Sequence, residues 1–203
     1  KMERHWKKGE QYFTENKLKE AILEYRNVIQ IDPQNAKARY KLGLAFLRMG
    51  MLREAYGEIL KTVEIDPKML EARNQLGSLY LLSGDSAKAK DQADAILAQD
   101  AKNSGGHLLL SNISLRERKL DQAIEESRKA VEGDQKLEAY LHLAGLYVMK
   151  RDLPQAEQML KAAVAVDEKS LRARFALAAF YLRSGKRELA EKEYVEATRK
   201  SSS

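Results

Sequence analysis

The sequence predicts an all-α fold made of short helix-turn-helix units in tandem. Residues 31–50 read IDPQNAKARYKLGLAFLRMG and residues 65–84 read IDPKMLEARNQLGSLYLLSG, so the two stretches share several residues at one offset of 34. Large and small residues recur three and four positions apart, which is the spacing of one helix face. The 203 residues include only 3 Pro and 11 Gly, a composition that favours helices over loops.

A fixed period runs through the whole chain. Its clearest marker is an alanine inside a charged helical stretch, which recurs at steps of 34, 34, 34, 33 and 34 residues. The marker alanines are Ala21, Ala55, Ala89, Ala123, Ala156 and Ala190. A small residue stands twelve positions before each marker, and a leucine stands thirteen positions before it, with Lys8 as the exception. Because small residues let two helix backbones approach closely, each period predicts one packed pair of amphipathic helices.

Turn-forming residues separate the helices of each unit and the units from one another. Four residues that tolerate the left-handed conformation lie between the two helices of their units: Asn16, Gly50, Gly84 and Gly185. In the fifth unit, Asp152 and Pro154 open the second helix, as a cap and as a first-turn proline. Asp32-Pro33 and Asp66-Pro67 end second helices, since proline blocks their continuation. The predicted units are 2–35, 36–69, 70–103, 104–136, 137–170 and 171–203.

A unit of 34 residues with Leu-Gly-x-x-Tyr, then Ala, an aromatic residue and Pro resembles the tetratricopeptide repeat (TPR). The resemblance covers essentially the whole chain and implies one right-handed superhelical solenoid over residues 1–203, with about twelve helices. We expect this chain to be an excerpt of a longer protein. The family's aromatic residue near the start of the first helix is kept only as Tyr140. The residues at that position in the other units are His5, Arg39, Arg73, His107 and Arg174. The fourth unit departs most, because Ser114 and Ser127 replace large residues.

The resemblance also implies a binding site for a protein or peptide. First helices of such repeats line a concave groove that holds a peptide or a helical segment of a partner. The corresponding residues are Trp6, Phe13, Tyr40, Leu44, Leu47, Arg48, Asn74, Ser78, Leu81, Leu108, Asn112, Arg116, Leu141, Phe175 and Arg183. Two alternatives stay open: the apolar members pack between neighbouring first helices, and the arginines complement helix dipoles in solvent.

Other functional classes find little support in the residues. The histidines His5, His107 and His142 lie in separate units, with no pair three or four positions apart to hold a metal ion. There is no Cys and no glycine-rich phosphate-binding loop, so we expect no enzyme activity and no cofactor. The net charge of +6 is spread along the chain among acidic residues, which disfavours nucleic acid as a partner. No apolar run approaches the ~18 residues of a membrane span, so we expect a soluble domain without direct membrane insertion.

A second function, self-assembly into a structural scaffold, is favoured by the last unit. Its second helix carries Leu189, Ala190, Tyr194 and Ala197 at core positions, and no further helix follows to cover them. A homo-oligomer would bury this surface. The repeats also resemble those of bacterial multi-repeat TPR proteins, some of which take part in envelope or exopolysaccharide assembly. That resemblance favours the bacterial periplasm or envelope over the cytoplasm.

Overall fold

The computed structural model describes the backbone of residues 1–134 and 136–201. These residues form twelve α-helices and no strand, so the predicted all-α repeat fold is confirmed. The helices are α1 (Met2–Thr14), α2 (Leu18–Ile31), α3 (Ala36–Arg48), α4 (Leu52–Ile65), α5 (Leu70–Ser83), α6 (Ser86–Gln99), α7 (Ser104–Arg116), α8 (Leu120–Asp134), α9 (Leu137–Met149), α10 (Leu153–Val166), α11 (Leu171–Arg183) and α12 (Arg187–Ser201).

Consecutive helices pack as pairs, beginning with α1 against α2 and ending with α11 against α12. The chain divides into two compact parts, Lys1–Gln99 and Asp100–Ser203, which we call the N-terminal half and the C-terminal half. Each half contains three helix pairs. The single solenoid over the whole chain stays a prediction.

The turn inside each pair is closed by one residue with positive φ. Those that the sequence predicted have φ values of 57° (Asn16), 73° (Gly50), 90° (Gly84) and 75° (Gly185), so these four predictions are confirmed. Arg118 and Arg151 occupy the same place in the fourth and fifth pairs, with φ of 60° and 63°. The sequence did not predict Arg118 and Arg151 as turn residues, because arginine rarely adopts positive φ.

Aspartate organises the turns between pairs. The Oδ1 atom of Asp32 accepts a hydrogen bond from the backbone N–H of Gln34 at 3.2 Å, and Asp66, Asp100 and Asp167 repeat this bond to the residue two positions on. Asn35 then caps α3 by accepting from the N–H of Ala38 at 2.9 Å. These local bonds give the chain a fixed route from one helix pair into the next.

Small residues set the close packing within the first two pairs. A Cβ atom added to Gly9 would lie 2.7 Å from Cε1 of Tyr25, and one added to Gly43 would lie 2.6 Å from Cγ1 of Ile59. Neither distance leaves room for a methyl group. Gly9 and Gly43, two of the predicted small residues, are therefore contact points where one helix of a pair meets the other.

The fourth pair replaces large side chains by a buried polar network. Ser111 Oγ donates to the carbonyl of Ala123 at 2.8 Å and lies 2.9 Å from Ser127 Oγ. It also lies 3.0 Å from Nε2 of His142 on α9. Ser111 and Ser127 are fully buried, and each has a hydrogen-bond partner, so their burial does not leave polar atoms unsatisfied.

Candidate peptide-binding groove

An apolar groove lies between the first helices of the last two pairs, α9 and α11. Its cavity has a volume of about 380 Å³. Leu141 and Val148 line it from α9, and Ala176 and Ala179 line it from α11. Phe180, with 6% of its surface exposed, forms part of the groove wall. A cavity of this size accepts one or two large apolar side chains of another molecule.

Small residues are the reason that this groove is open. Gly145 lies on α9 where a larger side chain would fill the cavity, and an added Cβ there would meet no atom within 4 Å. The short side chains of Ala176 and Ala179 leave space on the side of α11 that faces α9. These three residues are not among the predicted groove residues, because a small side chain has no ligand-contacting group that a sequence pattern would mark.

Two arginines lie among the residues lining the groove, near opposite ends of α11. Arg172 Nη1 is 3.7 Å from Glu138 Oε1, and both side chains are mostly exposed, so this ion pair is weak. Arg183 also lines the cavity and makes no ion pair with any residue that the structure describes. The two positions are about 16 Å apart along the helix. A segment lying in the groove would have a positive charge near each end.

The predicted groove residues differ in how far they are exposed. Those that are half-buried are Trp6, Tyr40, Leu44, Leu47, Asn74, Leu81, Leu108, Asn112 and Leu141. Those that are exposed are Arg48, Ser78, Arg116, Phe175 and Arg183. Burial raises the pKa of Tyr40 to about 12, so its hydroxyl is uncharged at neutral pH. Ser78 Oγ donates to the carbonyl of Asn74 at 2.9 Å, which occupies that hydroxyl within α5.

Phe13 and Arg48 pack against each other rather than lining an open groove. Phe13 is only 9% exposed, and the guanidinium carbon of Arg48 lies 3.9 Å from the centre of its ring. Arg48 Nη1 also donates to the backbone carbonyl of Phe13 at 3.2 Å. A cation over an aromatic face with a hydrogen bond to the same residue is a structural contact. Both side chains are therefore engaged with each other rather than available to a ligand.

Trp6 lines a smaller apolar hollow between the first pair and the start of α3. This cavity of about 180 Å³ also involves Met2, Val28 and Lys37. The indole ring lies 5.8 Å from the ring of Tyr25, centre to centre. Trp6 is thus held by the core of its pair on one side and borders the hollow on the other.

Five residues that depart from the family's aromatic residue near the start of the first helix join the two helices of their pairs. Each bonds to a residue nineteen positions later, on the second helix. These pairs are His5–Glu24, Arg39–Glu58, Arg73–Gln92, His107–Glu126 and Arg174–Glu193. In the fifth pair the same two positions hold Tyr140 and Met159, which are both uncharged. The matched change at both positions is the sequence signal that could have revealed this contact.

The described residues contain no group of three or more His, Cys, Asp or Glu side chains placed to hold a metal ion. Within the same ranges, no helix has the length and apolar character needed to cross a membrane.

Family models agree with the repeat pattern at both ends of the chain. A model described as TPR repeat matches residues 9–50, and one described as tetratricopeptide repeat matches residues 141–203. The chain is a multi-repeat tetratricopeptide repeat protein. Members of this family generally bind other proteins as non-enzymatic scaffolds. A search of curated proteins finds no match.

Solved structures show the same fold. TTC0263, a thermophilic TPR protein of Thermus thermophilus, is 19% identical, with a TM-score of 0.78 over 90% of this chain and 100% of that one. PilF of Pseudomonas aeruginosa is 18% identical, with a TM-score of 0.71 over 98% and 90%. A MamA protein is 24% identical, with a TM-score of 0.62 over 83% and 92%. At these identities the likeness concerns the fold alone.

Proposed function

We propose that this protein is a non-enzymatic scaffold that binds a peptide or helical segment of a partner protein along the first helices of its repeats. The observation that carries the proposal is the apolar groove between α9 and α11, which is open because Gly145 has no side chain. Tyr40, Leu44 and Leu47 in the N-terminal half and Leu108 in the C-terminal half are further half-buried residues of the predicted set, and we include them as candidate contacts within their own halves.

The physical basis of binding is removal of apolar surface from water. Leu141 and Val148 on one side and Phe180 on the other offer a largely apolar wall to an entering side chain. Each Å² of apolar surface buried contributes roughly 25 cal/mol, so one well-buried leucine or phenylalanine anchor supplies about 2 kcal/mol. Arg172 and Arg183 then favour acidic residues near the two ends of the bound segment.

The test is to fill the groove without disturbing the fold. Gly145→Leu places a large side chain where no atom lies within 4 Å, and Gly57→Leu is the matched control because Gly57 also lies mid-helix with the same open space. Gly57 lies on α4, a second helix, outside the proposed groove. We expect a partner captured by the wild-type protein to be retained by Gly57→Leu and lost with Gly145→Leu. Equal capture by all three proteins would rule out this groove as the binding site.

Self-association is a second candidate function, favoured by exposed apolar side chains on the last helix pair. These are Leu171, Phe175, Leu182, Leu189 and Tyr194, each between 37% and 49% exposed. Mass measured by light scattering over a hundredfold range of concentration tests it. A dimer that dissociates on Tyr194→Glu supports self-association, and a constant monomer mass excludes it.

A further inference from the structure

A second apolar cavity lies in the N-terminal half, between α4 and the helix pair α5–α6. It has a volume of about 430 Å³, and we call it the tyrosine hollow because Tyr56 and Tyr80 line it. Leu52, Tyr56 and Leu82 also belong to the lining and are 45%, 36% and 65% exposed. None of the lining residues is in the predicted groove set. A cavity lined by exposed large apolar side chains is typical of a surface that binds another molecule.

One repeat earlier, the same position is filled by apolar side chains. Ile22 and Met51 stand 34 residues before Tyr56 and Asp85, which line the tyrosine hollow. Ile22 is buried, and Met51 packs against the core cluster that contains Ile22. The first and second pairs therefore close this position with apolar contacts.

In the last two pairs, an ion pair spans the same position. Glu157 and Lys186 stand 101 residues after Tyr56 and Asp85. Nζ of Lys186 donates to Oε2 of Glu157 at 2.6 Å, and the hydroxyl of Tyr181 donates to Oε1 of Glu157 at 3.4 Å. This ion pair joins α10 to the turn between α11 and α12.

Tyr56 and Asp85 make neither kind of closure. Oδ1 of Asp85 accepts from the backbone N–H of Lys88 at 3.0 Å, and Oδ2 lies 3.0 Å from Nζ of Lys88. The ring of Tyr56 meets the edge of the Tyr80 ring, with 5.9 Å between centres. The tyrosine hollow is open because Tyr56 and Asp85 do not bond to each other as Glu157 and Lys186 do.

The tyrosine hollow offers polar groups for an anion beside its apolar wall. Burial and a hydrogen bond with Tyr56 raise the pKa of Tyr80, so its hydroxyl is uncharged at neutral pH. Two hydroxyls that share one hydrogen bond leave one O–H to donate to another acceptor. Arg53 is exposed and makes no ion pair with any residue that the structure describes, whereas Asp85 is bonded to Lys88. The charge without a partner in this lining is therefore positive.

We propose that the tyrosine hollow binds an internal segment of a partner protein that presents one large apolar side chain beside a carboxylate. The apolar side chain enters between Leu52, Leu79 and Leu82. The carboxylate accepts the remaining O–H of the tyrosine pair and forms an ion pair with Arg53. Charge complementarity selects an acidic neighbour over a basic one. This site is separate from the groove between α9 and α11, so the proposal does not rest on that groove.

The probe is a short peptide, acetylated and amidated, with one tryptophan between two glutamates. The matched peptide carries lysines in place of the glutamates. In NMR titrations of the wild-type protein, the glutamate peptide should shift the amide signals of the first turn of α4 and the last turn of α5. We expect a Kd on the order of 1 mM, as for one anchored side chain, and binding of the lysine peptide about threefold weaker or less. Arg53→Glu should reverse the order of the two peptides.

A second variant closes the tyrosine hollow in the way that the last two pairs do. Tyr56→Glu combined with Asp85→Lys places the residues of the Glu157–Lys186 ion pair at the equivalent positions, and should abolish the shifts while the helices stay folded. Glu54→Gln is the control, because it makes the same change in net charge at an exposed position of α4 outside the lining. It should bind the glutamate peptide as the wild type does.

The proposal is overturned if neither peptide shifts these signals, or if the wild type binds both peptides equally. It is also overturned if the combined variant Tyr56→Glu and Asp85→Lys binds as the wild type does. Shifts confined to α9 and α11 would place the peptide in the other groove and would overturn it as well. If the combined variant does not fold, reversal by Arg53→Glu still decides the question, because Arg53 is exposed and its replacement leaves the core unchanged.

Discussion

Replacing Arg174 by tyrosine and Glu193 by methionine, singly and together, tests how the two helices of a pair are joined. The chosen residues are those that the fifth pair carries at the same positions, Tyr140 and Met159. Nη1 of Arg174 lies 2.9 Å from Oε2 of Glu193, and the two side chains are only 8% and 17% exposed. Each single change leaves one mostly buried charge without its partner, whereas the double change leaves an uncharged pair.

The magnitude follows from this burial. Loss of one partner of a buried ion pair costs about 3–5 kcal/mol, and the residual exposure of Glu193 reduces this to about 2–3 kcal/mol for each single variant. The double variant should lose about 2 kcal/mol less than the sum of the single variants, because no isolated charge remains. At this chain length the difference corresponds to roughly 4–8 °C in Tm.

Urea unfolding followed by far-UV circular dichroism measures the four free energies of the cycle. Lys61 and Glu64 provide the control pair, since both side chains are about half exposed and should show no measurable coupling. Additivity of Arg174→Tyr and Glu193→Met within about 0.5 kcal/mol would show that the two side chains are not coupled. It would mean that the 2.9 Å contact adds nothing beyond what solvent supplies to each group.

Three further predictions concern the turns, the close contacts and acid stability. Arg118→Gly and Arg151→Gly should each raise the free energy of unfolding by about 1 kcal/mol, because glycine adopts positive φ without strain. Denaturant midpoints no higher than that of the wild type would contradict this expectation. Gly43→Ala should lower the free energy of unfolding by about 1–3 kcal/mol, because the added methyl group has no room. Gly57→Ala should raise the free energy of unfolding by about 0.5–1 kcal/mol, because alanine favours the helix and the site is open. Similar thermal midpoints for the two variants would contradict this difference in packing. Burial lowers the pKa of His142, so the free energy of unfolding should be at its full value above about pH 6.5 and should fall as acid protonates the folded ring. The loss should be smaller in His142→Gln. Equal dependence of stability on pH in the wild type and His142→Gln would exclude His142 as the source of the loss.

The helix pairs could be predicted because their signals are local and repeated. The steps between Ala21 and Ala55 and their successors fix the period, and a proline after Asp32 fixes where α2 ends. Glycine and asparagine marked four of the turns by residue type. Arg118 and Arg151 were missed because only their distance from Asn16 and the glycines, not their chemistry, marks them as turn residues.

The contacts between helices were harder to predict, because they depend on pairs of positions. In the sequence, Arg174 only replaces an aromatic residue of the family. The structure shows that it bonds to Glu193 on the second helix of the pair. Ser127 looks like a packing defect until Ser111 is seen beside it. The groove between α9 and α11 depends on the absence of a side chain at Gly145, and empty space has no residue type that would mark it in the sequence.

Photo-cross-linking shows whether a partner segment binds between the first helices α9 and α11. A benzophenone amino acid replaces Met149, which is 58% exposed beside Val148 at the end of α9. The matched control replaces Leu23, which is 60% exposed on the second helix α2. We expect position 149 to cross-link to one defined segment of a partner, Gly145→Leu to abolish this product, and position 23 to yield none. Equal products from positions 149 and 23, or a product at 149 that survives Gly145→Leu, would contradict this expectation.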